Sequence, residues 1–232
     1  MAIRERASLF NRYSVPRVGT VRPFRTYYLI MEGTNTEPTY FKLLEMELIK
    51  RRIRNNISLV YLERTQNDRG SNTPRQLYNF LREFQKQKDD DGVYLMVFDR
   101  DSYKNHFNPK KSYLDFLKSV RHSNVRMIIT SPCFEIWLLL HLDNSYQEFI
   151  EPNKKNIFRN DRISPAYTYV SKMVRDIFGF NPKSNIPEDF LKNLNIAMKQ
   201  SSQLTSDPKK MATELGENIS DFIREISYDQ RY

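Results

Sequence analysis

The 232-residue sequence predicts an α/β protein: a central, mostly parallel sheet of about four strands flanked by helices, with a C-terminal helical extension. Two observations carry this reading. Four β-rich runs alternate with segments whose apolar residues recur at helical spacing. Beyond residue 145 the strand signal stops and only helical periodicity continues. Strand–helix–strand units in that order make right-handed crossovers, which lay consecutive strands parallel in one sheet.

The elements follow in chain order. Residues 1–24 read as a basic flexible arm, since Pro16, Gly19 and Pro23 interrupt any sustained period. The first strand is Arg25-Thr-Tyr-Tyr-Leu-Ile-Met31, closed by Glu32-Gly33. Thr36 is placed to cap a helix whose first turn holds Glu37 and Pro38 and which runs to Lys50. Ile57–Leu62 is the second strand. Thr73-Pro74 opens a helix with Leu77, Phe80, Leu81 and Phe84 on one face. Val93–Phe98 forms the third strand and ends in Asp99-Arg100-Asp101. A helix with Tyr113, Phe116, Leu117 and Val120 follows, then a fourth strand, Val125–Ile129, and a buried helix from Phe134 to Leu142. This defines an α/β domain over residues 25–145. The stretch 143–164 loses periodicity, and an extension over 146–232 is expected to pack on the domain through helices at 166–178, 187–198 and 208–226. The last carries Met211, Leu215, Ile219, Phe222, Ile223 and Ile226 on one stripe.

Composition narrows the function classes. No apolar run approaches the ~20 residues of a membrane span, and the first residues lack a secretory-type apolar stretch. One cysteine, Cys133, excludes an internal disulfide framework and reads as a small buried apolar residue, and the cytoplasm is the expected compartment. With six glycines and no Gly-x-x-x-x-Gly-Lys-Ser/Thr motif, ATP hydrolysis is not expected. The formal net charge is +9, and residues 1–25 concentrate it: Arg4, Arg6, Arg12, Arg17, Arg22 and Arg25 oppose only Glu5. Such a segment suits a phosphate backbone, or serves as a solubilising tail.

The chemistry is expected at the carboxyl ends of the strands, where open parallel sheets form their ligand crevice. Glu32 follows the first strand; Asp99 and Asp101 close the third, two residues apart and so directed to one side. Three converging carboxylates repel one another unless a cation neutralises them, and hard oxygen ligands suit Mg²⁺ or Mn²⁺. The plainer alternative is a set of solvated turn carboxylates. Glu135 is a candidate fourth acid. Arg100, Asn35, Ser131 and His141 are candidate substrate contacts; for Arg100 a structural ion pair, and for His141 a core or helix-terminus position, is the competing reading. The polar loop Asn67–Pro74 is a further candidate phosphate contact.

Three blocks, Met31-Glu-Gly-Thr-Asn-Thr-Glu-Pro-Thr-Tyr-Phe41, Val97-Phe-Asp-Arg-Asp101 and Ser131-Pro-Cys-Phe-Glu-Ile-Trp-Leu-Leu-Leu-His141, resemble the RloB-like (AbiLii) family in composition and order. That family is similar to Toprim domains. The resemblance implies that Glu32 is a general base or metal ligand and that Asp99 and Asp101 bind Mg²⁺ (or Mn²⁺). It further implies an abortive-infection (antiviral) nuclease that cuts RNA or DNA, tRNA among the candidates, and works with a separate AAA/ABC-type ATPase encoded nearby. Asn35 stands where the family commonly has a basic residue, and Ser102 where another acidic or polar residue is usual. A non-catalytic, partner-binding regulator with a degenerate Toprim fold is the alternative, and a homo-oligomer is compatible with the sequence.

Overall fold

The computed structural model describes residues 3–7, 25–51, 57–64, 73–88, 91–121 and 123–228. Six strands form one sheet: β1 (Ile3–Ala7), β2 (Arg25–Met31), β3 (Ile57–Arg64), β4 (Val93–Asp99), β5 (Val125–Ser131) and β6 (Gly216–Glu217), in the spatial order β1-β3-β2-β4-β5-β6. The inner four are parallel, as the alternation predicts; β1 and β6 close the two edges antiparallel. Ile3–Ala7, which the sequence reading assigns to the basic arm, thus lies alongside β3. The rest of the arm, and most of the candidate loop at 67–74, fall outside the described residues.

The connecting helices are α1 (Thr36–Lys50), α2 (Pro74–Lys86) and α3 (Pro109–Val120). Thr73 caps α2 in a reciprocal box with Gln76, matching the sequence signal. At α1 the expected cap is not made. Asn35 occupies that position, and the Thr36 hydroxyl donates instead to the Pro182 carbonyl at 3.0 Å, tying the C-terminal extension to the sheet edge.

Both faces of the sheet are covered. Leu77, Phe80, Leu81, Phe84, Tyr113 and Phe116 of α2 and α3 bury one face. The other face holds Tyr40, Phe41 and Leu44 of α1, the short helix α4 (Glu135–Leu139), and the extension. Because Trp137, Leu138, Leu139 and Leu140 are all fully buried, α4 runs through the interior between sheet and extension. From Ile136 onward the segment is apolar on every side, and such a segment can be stable only there.

The extension comprises α5 (Lys154–Arg159), α6 (Tyr169–Phe178), α7 (Leu194–Gln200) and α8 (Ile219–Tyr228), joined by 3-10 and π turns. The expected single helix over 208–226 is broken: a 3-10 turn at Lys210–Ala212 and β6 precede α8. The apolar stripe is nonetheless buried along its whole length. Gly216 explains the break. Its backbone pairs with Ser131 in β5, and a Cβ there would lie 2.5 Å from the Thr205 carbonyl oxygen. Edge pairing and close approach to residue 205 outweigh helical periodicity at that point.

Candidate acidic site

β2 and β4 are neighbours, with Met31 level with Val97, so Glu32 and Asp99 emerge together at the carboxyl edge. The Glu32 N–H donates to the Val97 carbonyl at 2.9 Å, and the Asp99 N–H donates to Glu32 Oε2 at 3.2 Å. The Ser102 hydroxyl stands 2.5 and 2.6 Å from the two Glu32 oxygens and shares its proton between them. Thr130, paired with Asp99 across β5, donates its hydroxyl to Asp99 Oδ1. Asp101 sits one step on, in the 3-10 turn Arg100–Tyr103, where its N–H donates to the Pro132 carbonyl at 3.0 Å. The peptide bond Ser131–Pro132 is cis.

Two more carboxylates join these three. Glu135, proposed from the sequence as a further site acid, is the first residue of α4 and is buried. Glu37 is the acid that reading leaves in a helix turn; the structure directs it inward, 7% exposed. Its carboxylate lies against Gly33, and a Cβ at that position would stand 1.8 Å from Glu37 Oε2. The backbone N–H groups of Gly33 and Glu37 itself donate to it. Only glycine leaves room for a carboxylate in that position.

The electrostatics reflect the crowding. Burial, then repulsion from Glu135 and Glu32, pushes the Glu37 carboxyl up to about 7. Asp99 is raised well above the usual carboxylate range by burial first, then by Glu37, Asp101, Glu32 and Glu135. Asp101 is raised by burial and Glu135 against the lowering effect of Asn160, Arg100 and Lys104. Among the described residues, Glu37, Asp99, Asp101 and Glu135 form no ion pair. Burial first, and then the neighbouring Glu135, pushes the Cys133 thiol up and leaves it a poor nucleophile.

A cavity of about 240 Å³ opens on this edge, lined by Gly33, Thr34, Asn35, Thr36, Glu37, Asp99, Phe134, Glu135 and Lys183. Asn35 is therefore where a substrate contact is expected, on the rim and exposed. Lys183 comes from the extension and is the one cationic residue lining the cavity among the described residues. Asn160 is a second contribution of the extension, donating to Asp101 Oδ2 at 2.8 Å from a left-handed backbone (φ +43°) that asparagine tolerates.

The other proposed contacts lie elsewhere. Arg100 turns away from the cavity: its guanidinium sits 4.0 Å from the Phe158 ring centroid and donates to the Phe158 carbonyl. Ser131 is fully buried and donates to the Met211 and Glu214 carbonyls, holding the β6 segment on β5. His141 is a core residue: Nδ1 meets the Trp137 carbonyl at 3.1 Å, Nε2 meets the Tyr40 hydroxyl at 3.2 Å, and the ring stacks on Phe190. Burial lowers its pKa to about 4. Neither Ser131 nor His141 is available to a substrate, because both spend their polar atoms inside the fold.

The donor set suits a hard divalent cation, since every acid in it offers oxygen and their mutual repulsion is what such an ion relieves. As they stand, no three His, Cys, Asp or Glu side chains among the described residues are grouped as ready metal ligands. The Ser102 contact holds both Glu32 oxygens, so ion binding requires the carboxylates to re-orient.

A model of the RloB-like protein family matches residues 27–226, most of the chain, and the chain therefore belongs to that family. No curated protein and no solved structure matches it.

Proposed function

We propose that this member of the RloB-like family is a Mg²⁺- or Mn²⁺-dependent phosphodiesterase that cuts nucleic acid, an antiviral effector of Toprim-like chemistry. The observation that carries the reading is the gathering of Glu32, Glu37, Asp99, Asp101 and Glu135 at one sheet edge, with Glu37 and Asp99 pushed up by burial and by the neighbouring acids. Perturbed acids clustered beside a cavity are a signature of chemistry more often than of stability. Asp99 and Asp101, with Glu32 or Glu37, would hold the ion. A bound ion of this kind polarises a phosphate and lowers the pKa of a coordinated water. Glu32, on the same edge, would accept the proton of the attacking water, and Lys183 would meet the phosphate charge at the rim. Phosphate repelled by five acids needs such compensation. Since the sequence has no Gly-x-x-x-x-Gly-Lys-Ser/Thr motif, we assign coupling to ATP to a separate ATPase.

The non-catalytic alternative draws on one observation: Glu32 is held by Ser102 and the Asp99 amide. The experiment that separates the two incubates the purified chain with end-labelled RNA and DNA in Mg²⁺ or Mn²⁺. Cleavage abolished by Asp99→Asn and Glu32→Gln, in variants that still melt cooperatively, supports the enzyme. Intact substrates under all conditions, with the ATPase partner added, refute it. Ser102→Ala removes one hydrogen-bond donor from Glu32 and is expected to leave or raise activity, whereas with a purely structural Glu32 that change would cost stability.

A further inference from the structure

We propose that Phe107, with Lys110 and Lys111, forms a landing surface for single-stranded nucleic acid beside the acidic edge. The inference rests on the nuclease reading and names how its substrate is held.

Phe107 is fully exposed, the most exposed of the large apolar side chains among the described residues. It lies in the turn between the Asp101 segment and α3, six positions past Asp101, hence within about 20 Å of it along any chain path. The turn is not loosely placed. The His106 N–H donates to the Tyr103 carbonyl, the His106 ring packs 5.1 Å from that of buried Tyr103, and the Asn108 side chain caps α3 through the Lys111 N–H. Lys104 is anchored to the Arg159 and Asn160 carbonyls and to Asp161, which pins the start of the turn. An apolar ring thus stands on a fixed support, where solvation costs most and a flat partner gains most.

The charge beside the ring selects the partner. Lys110 and Lys111 occupy the first turn of α3, which holds no acidic residue, and neither lysine has an ion-pair partner among the described residues. Cations at the positive end of a helix weaken it, so helix stability does not account for them. An aromatic platform flanked by unpaired cations is what a single strand requires: bases stack on the ring and phosphates meet the ammonium groups. The placement also answers a problem of the acidic site, which by itself repels a polyanion. Binding energy taken up at Phe107 and the lysines brings the strand to carboxylates that would otherwise exclude it.

The test is fluorescence anisotropy of the full chain with labelled oligo(U) and oligo(dT) in EDTA, where no cleavage occurs. Phe107→Ala is expected to weaken binding between about 5-fold and 100-fold, with Phe107→Trp restoring it. Lys110→Ala with Lys111→Ala is expected to flatten the slope of log affinity against log salt by about 1.4. All three positions lie at the surface, so unchanged melting curves confirm that folding is intact. Preference for one oligonucleotide names RNA or DNA as the source. The proposal falls if the wild type binds neither oligonucleotide, if Phe107→Ala leaves affinity unchanged, or if that change abolishes only self-association, which would assign the ring to a second copy. Binding through Phe107 with no cleavage in Mg²⁺ or Mn²⁺, the ATPase partner included, would sink the nuclease reading and spare this surface.

Discussion

Replacing Glu37 by glutamine isolates the energetic consequence of burying a carboxylate among its own kind. In the folded chain the Glu37 carboxyl is pushed from an ordinary 4.5 to about 7 by burial and by Glu135 and Glu32. Because the folded state holds this proton more tightly than the unfolded chain, the contribution of Glu37 is most favourable below pH 4.5. It diminishes as pH rises and is fully unfavourable above about 7. At 1.36 kcal/mol per pH unit the penalty at alkaline pH is about 3 kcal/mol. Glutamine keeps an oxygen to accept the Gly33 and residue-37 N–H groups but cannot ionise. Glu37→Gln is therefore expected to stabilise the metal-free chain by about 3 kcal/mol at pH 8.5, or roughly 6–12 °C in Tm for a chain of this size, and by little at pH 4.5. Thermal melts by circular dichroism in EDTA at the two pH values measure the difference. Adding Mg²⁺ at pH 8.5 should narrow it by stabilising the wild type more. Equal effects of the substitution at both pH values would refute the claim that Glu37 is a buried member of a repelling cluster.

Three further outcomes are expected. Gly33→Ala places a methyl 1.8 Å from Glu37 Oε2; it should cost about 1–3 kcal/mol in denaturant titration and abolish metal-dependent cleavage, because the carboxylate must leave its seat. Ser131→Ala leaves the Met211 and Glu214 carbonyls without their buried donor and should cost about 1–3 kcal/mol, while kcat of the folded fraction stays unchanged in a cleavage assay. His141, lowered to about 4 from 6.5, contributes stability that is present above pH 6.5 and lost as pH falls towards 4. His141→Gln should accordingly lower Tm at pH 7 but flatten its fall between pH 6.5 and 4.5, and a variant as acid-sensitive as the wild type would contradict that assignment.

The sequence by itself determined the four inner strands of the sheet and the edge at which the acids gather. Strand and helix periodicities are local properties, and the handedness of crossovers is general, so β2 to β5 follow from residue spacing, with Glu32, Asp99 and Asp101 at their carboxyl ends. Membership of the family was legible in the same way, from three short blocks. What only the tertiary structure decided depends on contacts distant in the chain. Asn160 reaches Asp101 across 59 positions, from a stretch whose sequence shows no period. Glu37 reads as an ordinary first-turn acid until Gly33 is seen to leave space for it. Ser131 and His141 open and close a block that resembles the family's sequence, yet each satisfies its polar atoms inside the core. The stripe over 208–226 predicts burial correctly and a continuous helix wrongly, since apolar spacing reports which side faces the core and not whether Gly216 will leave the helix to pair with β5. Periodicity records the demands of water on a segment; the partner that meets those demands is chosen by the rest of the fold.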